Sequence, residues 1–355
     1  MAKVAIIIPT MNRPDYMLRK FRFYELMENP HTLYVQDSSN EENAKKLKDS
    51  IEQFNKKLNI VYQWVPPGNY VYQKLLPLIK EKYSFHMGDD DLIIPKTISE
   101  CADFLEEHPD YATCAGKQVN IRFRKEDYNK SYGIIEKQTK PLNESIEDED
   151  MLVRIKKFWL GAEKSSFICF AVRRIETEKI MRKATQHFGL LEDMYEFSQN
   201  SIFIALGKFK VLDKLGYIMQ ISNIRTFNHH LTEDLFLFPS ASEQWGIYLE
   251  GFSEILRDRG MSEKESYITA NRTFILFLYS QYSLESWPAT DRKKSLSVQQ
   301  NLFRKLRHFA SNKPFIKKIY YKFNPPNNYV NLPESKYYND FKLVKDFLEN
   351  KKPII

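Results

Sequence analysis

The chain opens on a change of hydrophobic period. Val4-Ala5-Ile6-Ile7-Ile8 is a five-residue apolar run without polar alternation, the pattern of a strand buried on both faces, as in a parallel sheet covered by helices. Met17, Phe21 and Tyr24 then recur at helical spacing. Ala44, Leu47, Ile51, Phe54 and Leu58 step by threes and fours along an otherwise charged segment, which predicts an amphipathic helix. Short strands are expected over 32–36, 60–65 and 84–87. Pro66-Pro67-Gly68 breaks the chain, a helical stretch interrupted by Pro77 follows, and a helix carries Ile98, Cys101, Ala102 and Leu105 on one side. Strands alternating with helices predict an α/β, doubly wound sheet.

Past residue 120 the rhythm is lost. Residues 120–150 are polar and end in the acid-rich stretch 144–150, so a surface loop is expected there. A helical signal at 156–160, a strand over 167–172, a helix over 176–183 and strands over 209–212 and 217–221 follow. From about Ala241 onward the pattern is mainly helical, with an aromatic-rich stretch over 274–282. There is no internal repeat.

Charge modifies this picture in one place. The 355 residues hold 53 Lys and Arg against 46 Asp and Glu, a net +7. The segment 291–323 alone holds ten Lys and Arg against one acid, so the remainder is slightly acidic, which argues against a chain-wide polyanion-binding role. In that segment Leu302, Leu306 and Phe309 share a helical face ringed by Arg304, Lys305 and Arg307. Such a stretch can lie on an anionic membrane or pack on the domain by its apolar face. Nucleic-acid binding lacks any reader motif. Three unpaired cysteines, Cys101, Cys114 and Cys169, suit buried positions in a reducing compartment. The apolar opening is too short for a signal-peptide core, and no run approaches a membrane span, so a cytoplasmic location is expected, with the inner membrane face as a docking place.

Three loops carry candidate chemistry. Phe85-His86-Met87-Gly88-Asp89-Asp90-Asp91 places three carboxylates after an expected strand. Clustered like charges cost free energy unless a cation neutralises them, and oxygen-only ligands favour Mg²⁺ or Mn²⁺. Taken alone, the cluster fits either a cation site or a solvated turn capping the helix near Pro95. Pro9-Thr10-Met11-Asn12-Arg13-Pro14 closes the first strand with a hydroxyl, an amide and a guanidinium, where open α/β sheets bind ligands; Thr10 or Asn12 would otherwise be a helix cap. Asp37 closes the second strand, as an acceptor for a base or ribose or, with Ser38 or Ser39, as a cap for the helix near Glu41. Together they outline a nucleotide-diphosphate site.

On these motifs the chain resembles the family 2 glycosyltransferases of the GT-A fold, and more narrowly a bacterial subgroup pairing an Ile-Pro-Thr-x-Asn-Arg-Pro opening with a Gly-Asp-Asp-Asp strand end. The resemblance runs over roughly residues 3–230. It implies a GT-A-like (Rossmann-type) mixed, mostly parallel sheet flanked by helices over residues 1–235, with a helical, basic C-terminal region over 236–355. It also implies that Pro9, Thr10, Asn12, Arg13 and Asp37 hold the base and ribose of a nucleotide-sugar donor. Asp89, Asp90 and Asp91 would hold a divalent cation (Mn or Mg), with Asp89 and Asp90 serving the donor diphosphate through it. The usual motif is Asp-x-Asp-Asp, and counting back from Pro95 puts Gly88 where the first Asp stands, so the ligating pair among the three is open.

The family's general base is a late carboxylate, often in a Glu-Asp pair opening a helix. Gly189-Leu190-Leu191-Glu192-Asp193 resembles it, with Asp193 first and Glu192 second. Farther on, Arg225 would face the leaving phosphates, and His229 or His230 would complete the metal shell or form a surface pair. Lys74 is a further, weaker phosphate candidate. The implied activity is inverting transfer of a sugar from a nucleotide diphosphate to a hydroxyl of a bacterial surface glycan, such as lipopolysaccharide or capsule. The implied partners are the donor, a glycan or lipid-linked glycan acceptor and an anionic membrane surface, with no nucleic acid expected. Spacing alone would also allow a sugar-phosphate nucleotidyltransferase, although residues 10–14 lack that class's glycine-rich loop, or a non-catalytic scaffold acting through 291–323.

Overall fold

The computed structural model describes residues 2–66, 75–160, 168–185, 192–221, 239–285 and 329–350. One mixed sheet organises the α/β core. Its strands are β1 (Val4–Thr10), β2 (Thr32–Asp37), β3 (Asn59–Trp64), β4 (Tyr83–His86), β5 (Leu92–Ile93), β6 (Tyr111–Phe123), β7 (Ile135–Gln138), β8 (Val172–Arg174) and β9 (Lys208–Gln220). They run in the order β3-β2-β1-β4-β8-β6-β9-β5, with β7 beside β6. β3, β2, β1 and β4 are mutually parallel, as are β6 and β9, whereas β8 is antiparallel to both its neighbours. The described helices are α1 (Pro14–Leu26), α2 (Glu41–Phe54), α3 (Pro95–Glu107), α4 (Met151–Leu160), α5 (Ile175–Thr185), α6 (Glu192–Leu206), α7 (Pro239–Asp258), α8 (Glu263–Glu285) and α9 (Tyr338–Glu349). The expected α/β sheet with flanking helices is therefore present.

The unbroken apolar run of β1 has a direct cause. Val4, Ile6 and Ile8 pack with Met17 and Phe21 of α1 and Leu47, Ile51 and Phe54 of α2, while Ala5 and Ile7 face Tyr34 and Leu75 on the other side. A second core joins α4, α6, α7 and α8, centred on Phe197, whose ring lies 4.6–5.3 Å from those of Trp159, Tyr248, Phe274 and Phe277.

Three expectations are corrected. Residues 120–150 are not a plain surface loop: they contain the end of β6, a 3-10 turn at Lys125–Asp127 and β7. Backbone bridges Gln118↔Leu142 and Ile146↔Phe209 and the Asp127 carboxylate, which accepts from Ile134 N–H, stitch this polar excursion down. The strands expected over 209–212 and 217–221 are two halves of β9, in which Asp213 and Lys214 bulge out where Gly116 pairs Leu212 and Lys117 pairs Leu215. The strand expected over 167–172 is a 3-10 turn at Ile168–Phe170 followed by β8; residue 167 lies outside the described residues.

At the C-terminal end α9 packs into the first core, with Phe341, Val344, Phe347 and Leu348 buried and the Phe347 ring 5.1 Å from Phe23 and 5.6 Å from Tyr132. The basic segment 291–323 lies outside the described residues. Among the described residues no helix is long and apolar enough to cross a membrane, and all three cysteines are free and buried.

Candidate functional site

Parallel pairing brings the first three loops to one sheet edge. Thr10, the last residue of β1, stands in register with Asp37, the last of β2, and Asp37 with Trp64, the last of β3. β4 pairs with the other side of β1 and delivers Gly88-Asp89-Asp90-Asp91 beside the β1 loop. Side chains then join loops more than seventy residues apart. Thr10 Oγ1 donates to Asp89 Oδ2 at 2.9 Å. The Arg13 guanidinium spans two carboxylates, with Nη1 at 2.6 Å from Asp89 Oδ1 and Nη2 at 3.0 Å from Asp90 Oδ2, and it lies 4.0 Å from the centre of the Tyr16 ring. Those carboxylates hold the Arg13 pKa above its ordinary value although burial opposes them.

Beneath the acidic loop are two cations that the hydrophobic pattern conceals. Lys20 is fully buried, and its ammonium donates to the carbonyls of Gly88, at 2.9 Å, and Asp91. Arg19, also fully buried, donates to the carbonyls of Asp90 and Ser131, each at 2.5 Å, and to Gln220 Oε1 at 2.6 Å. The loop thus turns its backbone oxygens toward α1. Asp91 points inward as well: its Oδ1 accepts from Gln220 N–H at 2.9 Å and its Oδ2 from the Tyr217 hydroxyl. Burial pushes the Asp89 and Asp91 carboxyls up and the Lys20 ammonium down, each against the pull of its ion partners. Three carboxylates therefore meet three protein cations, Arg13, Arg19 and Lys20.

Gly88 stands where the related motif has an acid, and a side chain there would require the Asp90 and Asp91 carboxylates to shift. A Cβ there would sit 2.8 Å from Asp91 Oδ2 and 3.0 Å from Asp90 Oδ1. The other candidates have definite places. Asn12, with φ 56°, donates its backbone N–H to Ser39 Oγ at 2.7 Å, and its Oδ1 accepts from Asn40 N–H at 3.0 Å. It ties the β1 loop to the start of α2 and caps no helix, α2 being capped by Asn40, whose side chain accepts from Asn43 N–H. Asp37 is fully buried; its Oδ1 accepts from Ser39 N–H at 2.8 Å and its Oδ2 from the Tyr62 hydroxyl at 2.7 Å, so it organises the edge from within. Pro9 is an exposed residue of β1.

The donor set can be tested against a divalent cation. Asp91 is held inward by Tyr217 and the Gln220 N–H, neither of which is exposed. Asp89 has both oxygens taken as well, by Thr10 and Arg13, so Asp89 and Asp90 fit only where the partly exposed Arg13 guanidinium leaves them; they then offer the one or two carboxylates that Mg²⁺ or Mn²⁺ takes, the shell being completed by phosphate and water. Among the described residues no group of three or more His, Cys, Asp and Glu forms a ready-made shell.

An ion-pair relay runs from the end of β4 toward α6. Glu178, fully buried, pairs with Arg173 and with Arg182 at 2.7 Å, and His86 Nε2 lies 3.2 Å from it. The Arg182 guanidinium sits 5.1 Å from the centre of the Tyr195 ring, in the first turn of α6. Burial and the two arginines push the His86 pKa down to about 4, against Glu178. Helix α6 begins at Glu192, so Glu192 and Asp193 open it as expected, while their side chains, like Lys74, residues 189–191, Arg225, His229 and His230, lie outside the described residues.

Comparison with known proteins gives no match to a family model and none to a curated protein. Solved structures do match. S. aureus TarS 1–349 in complex with UDP-GlcNAc aligns at 16% identity and a TM-score of 0.48, covering 97% of this chain and 91% of that one. The mannosyltransferase PcManGT from Pyrobaculum calidifontis, in complex with GDP-Man and Mn²⁺, aligns at 11% identity and 0.42, covering 89% and 85%. A longer S. aureus TarS structure aligns at 14% and 0.45, and the chain spans 45% of its length.

Proposed function

We propose that the chain is a glycosyltransferase that uses a nucleotide-diphosphate sugar. The observation that carries the reading is the convergence, on the carboxyl edge of adjacent parallel strands, of the Thr10–Arg13 loop with Asp89 and Asp90. Ligands of open α/β sheets bind at such an edge, and a hydroxyl, a guanidinium and two carboxylates able to hold a divalent cation would suit a diphosphate bound through that cation. The motif resemblance supplies the reaction class.

In this reading the base and ribose lie over the ends of β1 and β2, where Asn12 and Asp37 fix the loops that frame them. Asp89 and Asp90 would hold Mg²⁺ or Mn²⁺, which when bound neutralises the departing diphosphate. Thr10 orients Asp89, and Arg19 and Lys20 hold the loop from below. Asp193, or Glu192, takes the proton from the acceptor hydroxyl as that oxygen attacks the anomeric carbon from the face opposite the diphosphate, which inverts the configuration. Arg225 and His229 serve the leaving phosphates and the cation. The acceptor is a bacterial surface glycan, reached from the cytoplasmic side of the membrane.

A thermal-shift panel of nucleotide sugars with Mn²⁺ tests this. A donor at about a hundred times its Kd stabilises the fold by about 2.7 kcal/mol, and Asp90→Ala should abolish that shift. No shift with any member of the panel, together with no sugar transfer or donor hydrolysis, rejects the proposal.

A further inference from the structure

The three cations around the acidic loop are not equivalent. Arg19 and Lys20 have no exposed surface and are committed to backbone carbonyls. The Arg13 side chain keeps 18% of its surface exposed, and its guanidinium bridges Asp89 and Asp90 over the Tyr16 ring. It also occupies the oxygens a divalent cation would need. On Asp89, Oδ1 is held by Arg13 and Oδ2 by Thr10, and on Asp90, Oδ2 is held by Arg13.

We infer that Arg13 is a resident counter-cation that competes with the divalent ion for Asp89 and Asp90. With Arg13 in place Asp89 Oδ1 and Asp90 Oδ2 already have a cationic partner. Removing the guanidinium leaves Asp89 Oδ1 and Asp90 Oδ2 without that partner, an uncompensated charge that a divalent ion would meet. A divalent ion entering between Asp89 and Asp90 must displace the guanidinium, which turns toward whatever anion arrives with the ion, here the donor diphosphate. Metal and donor binding are thereby coupled through one side chain: the ion binds weakly alone and tightly when the displaced arginine gains a phosphate partner. The inference rests on the metal reading under the proposed function and goes beyond it, because that reading alone predicts no effect of Arg13 on metal affinity or a loss.

The test is Mn²⁺ affinity of the full chain without nucleotide, measured from the electron paramagnetic resonance signal of free Mn²⁺. Arg13→Gln should bind Mn²⁺ at least about tenfold more tightly than wild type, about 1.4 kcal/mol. Arg13→Lys, which keeps the charge but cannot bridge two carboxylates, should fall between them, and Asp90→Ala should bind more weakly than wild type. Thermal melts verify that each variant is folded, and Arg13→Lys carries the test should Arg13→Gln fail to fold. If the Arg13 variants bind as wild type or more weakly while Asp90→Ala loses affinity, the competition is overturned and the metal assignment stands. If none of these proteins binds Mn²⁺, both are overturned.

Discussion

The same substitution at two glycines should change stability in opposite directions. Gly116 of β6 and Gly216 of β9 face each other where the register of that strand pair shifts. A Cβ on Gly116 would lie 2.8 Å from both Cα and N of Gly216 and 2.7 Å from Thr97 Cγ2. Ordinary contact begins near 3.4 Å, so the backbones must separate by roughly 0.6 Å. The threonine cannot simply rotate away, because its Oγ1 donates to Leu215 C=O at 2.7 Å. Overpacking of this kind costs about 1–3 kcal/mol, and two backbone clashes place Gly116→Ala at the upper end. The displaced strand also carries Tyr217, the donor to Asp91, and the Gly216 carbonyl that accepts from Ile94 N–H at 3.0 Å, so the acidic loop should shift with it. Gly246, by contrast, is an exposed position within α7 with nothing within 4 Å of an added Cβ. Gly246→Ala should stabilise by about 0.5–1 kcal/mol through the lower chain entropy of alanine. Urea unfolding measures both. Equal stability of Gly116→Ala and wild type, or shifts of the same sign for the two variants, would refute the close-approach argument.

Two further outcomes follow from buried groups. His86 titrates near 4 in the folded chain against 6.5 unfolded, so the folded state binds this proton less readily; its contribution is complete above pH 6.5 and is lost as pH falls toward 4, by about 3 kcal/mol in all. From pH 7 to pH 4 the wild type should lose about 3 kcal/mol more stability than His86→Gln in urea unfolding, because the variant lacks this proton uptake, and parallel curves would reject the assignment. Phe347→Ala removes a ring packed on Phe23 and Tyr132 and should cost about 3–5 kcal/mol. Fluorescence and far-ultraviolet circular dichroism should report that loss as one shifted transition, and an unaltered midpoint would show that α9 is not part of the core.

The first half of the fold was legible because its apolar pattern has a local cause. Each residue of the α2 stripe is buried, and the run in β1 faces a core on either side. β6, β8 and the docking of α9, which depend on partners distant in sequence, were not legible. β6 reads Ala-Thr-Cys-Ala-Gly-Lys-Gln through its middle, with no run or alternation, and it is a strand because β9 lies along it for most of its length. β8 carries Arg173, whose charge argues for the surface and whose side chain is fully buried against Glu178. Residues 338–349 sit next to a basic stretch in sequence, yet their apolar face completes the first core.

The acidic loop shows how a sequence argument can hold in its physics and still miss the charges that the fold itself brings. Three adjacent carboxylates do need positive charge nearby, and that premise pointed to a metal ion. The fold supplies three cations itself, at positions 13, 19 and 20, from the loop and helix that follow β1. One signal of this was present: Lys20 falls between Met17 and Phe21 on the apolar stripe of α1, a position where a lysine is costly unless something buried receives it. What receives it is the backbone of Gly88 and Asp91, about seventy residues away, which no local pattern discloses. In the proposed reading a divalent ion at Asp89 and Asp90 would therefore exchange with Arg13, and the Mn²⁺ affinities of the Arg13 variants decide whether it does.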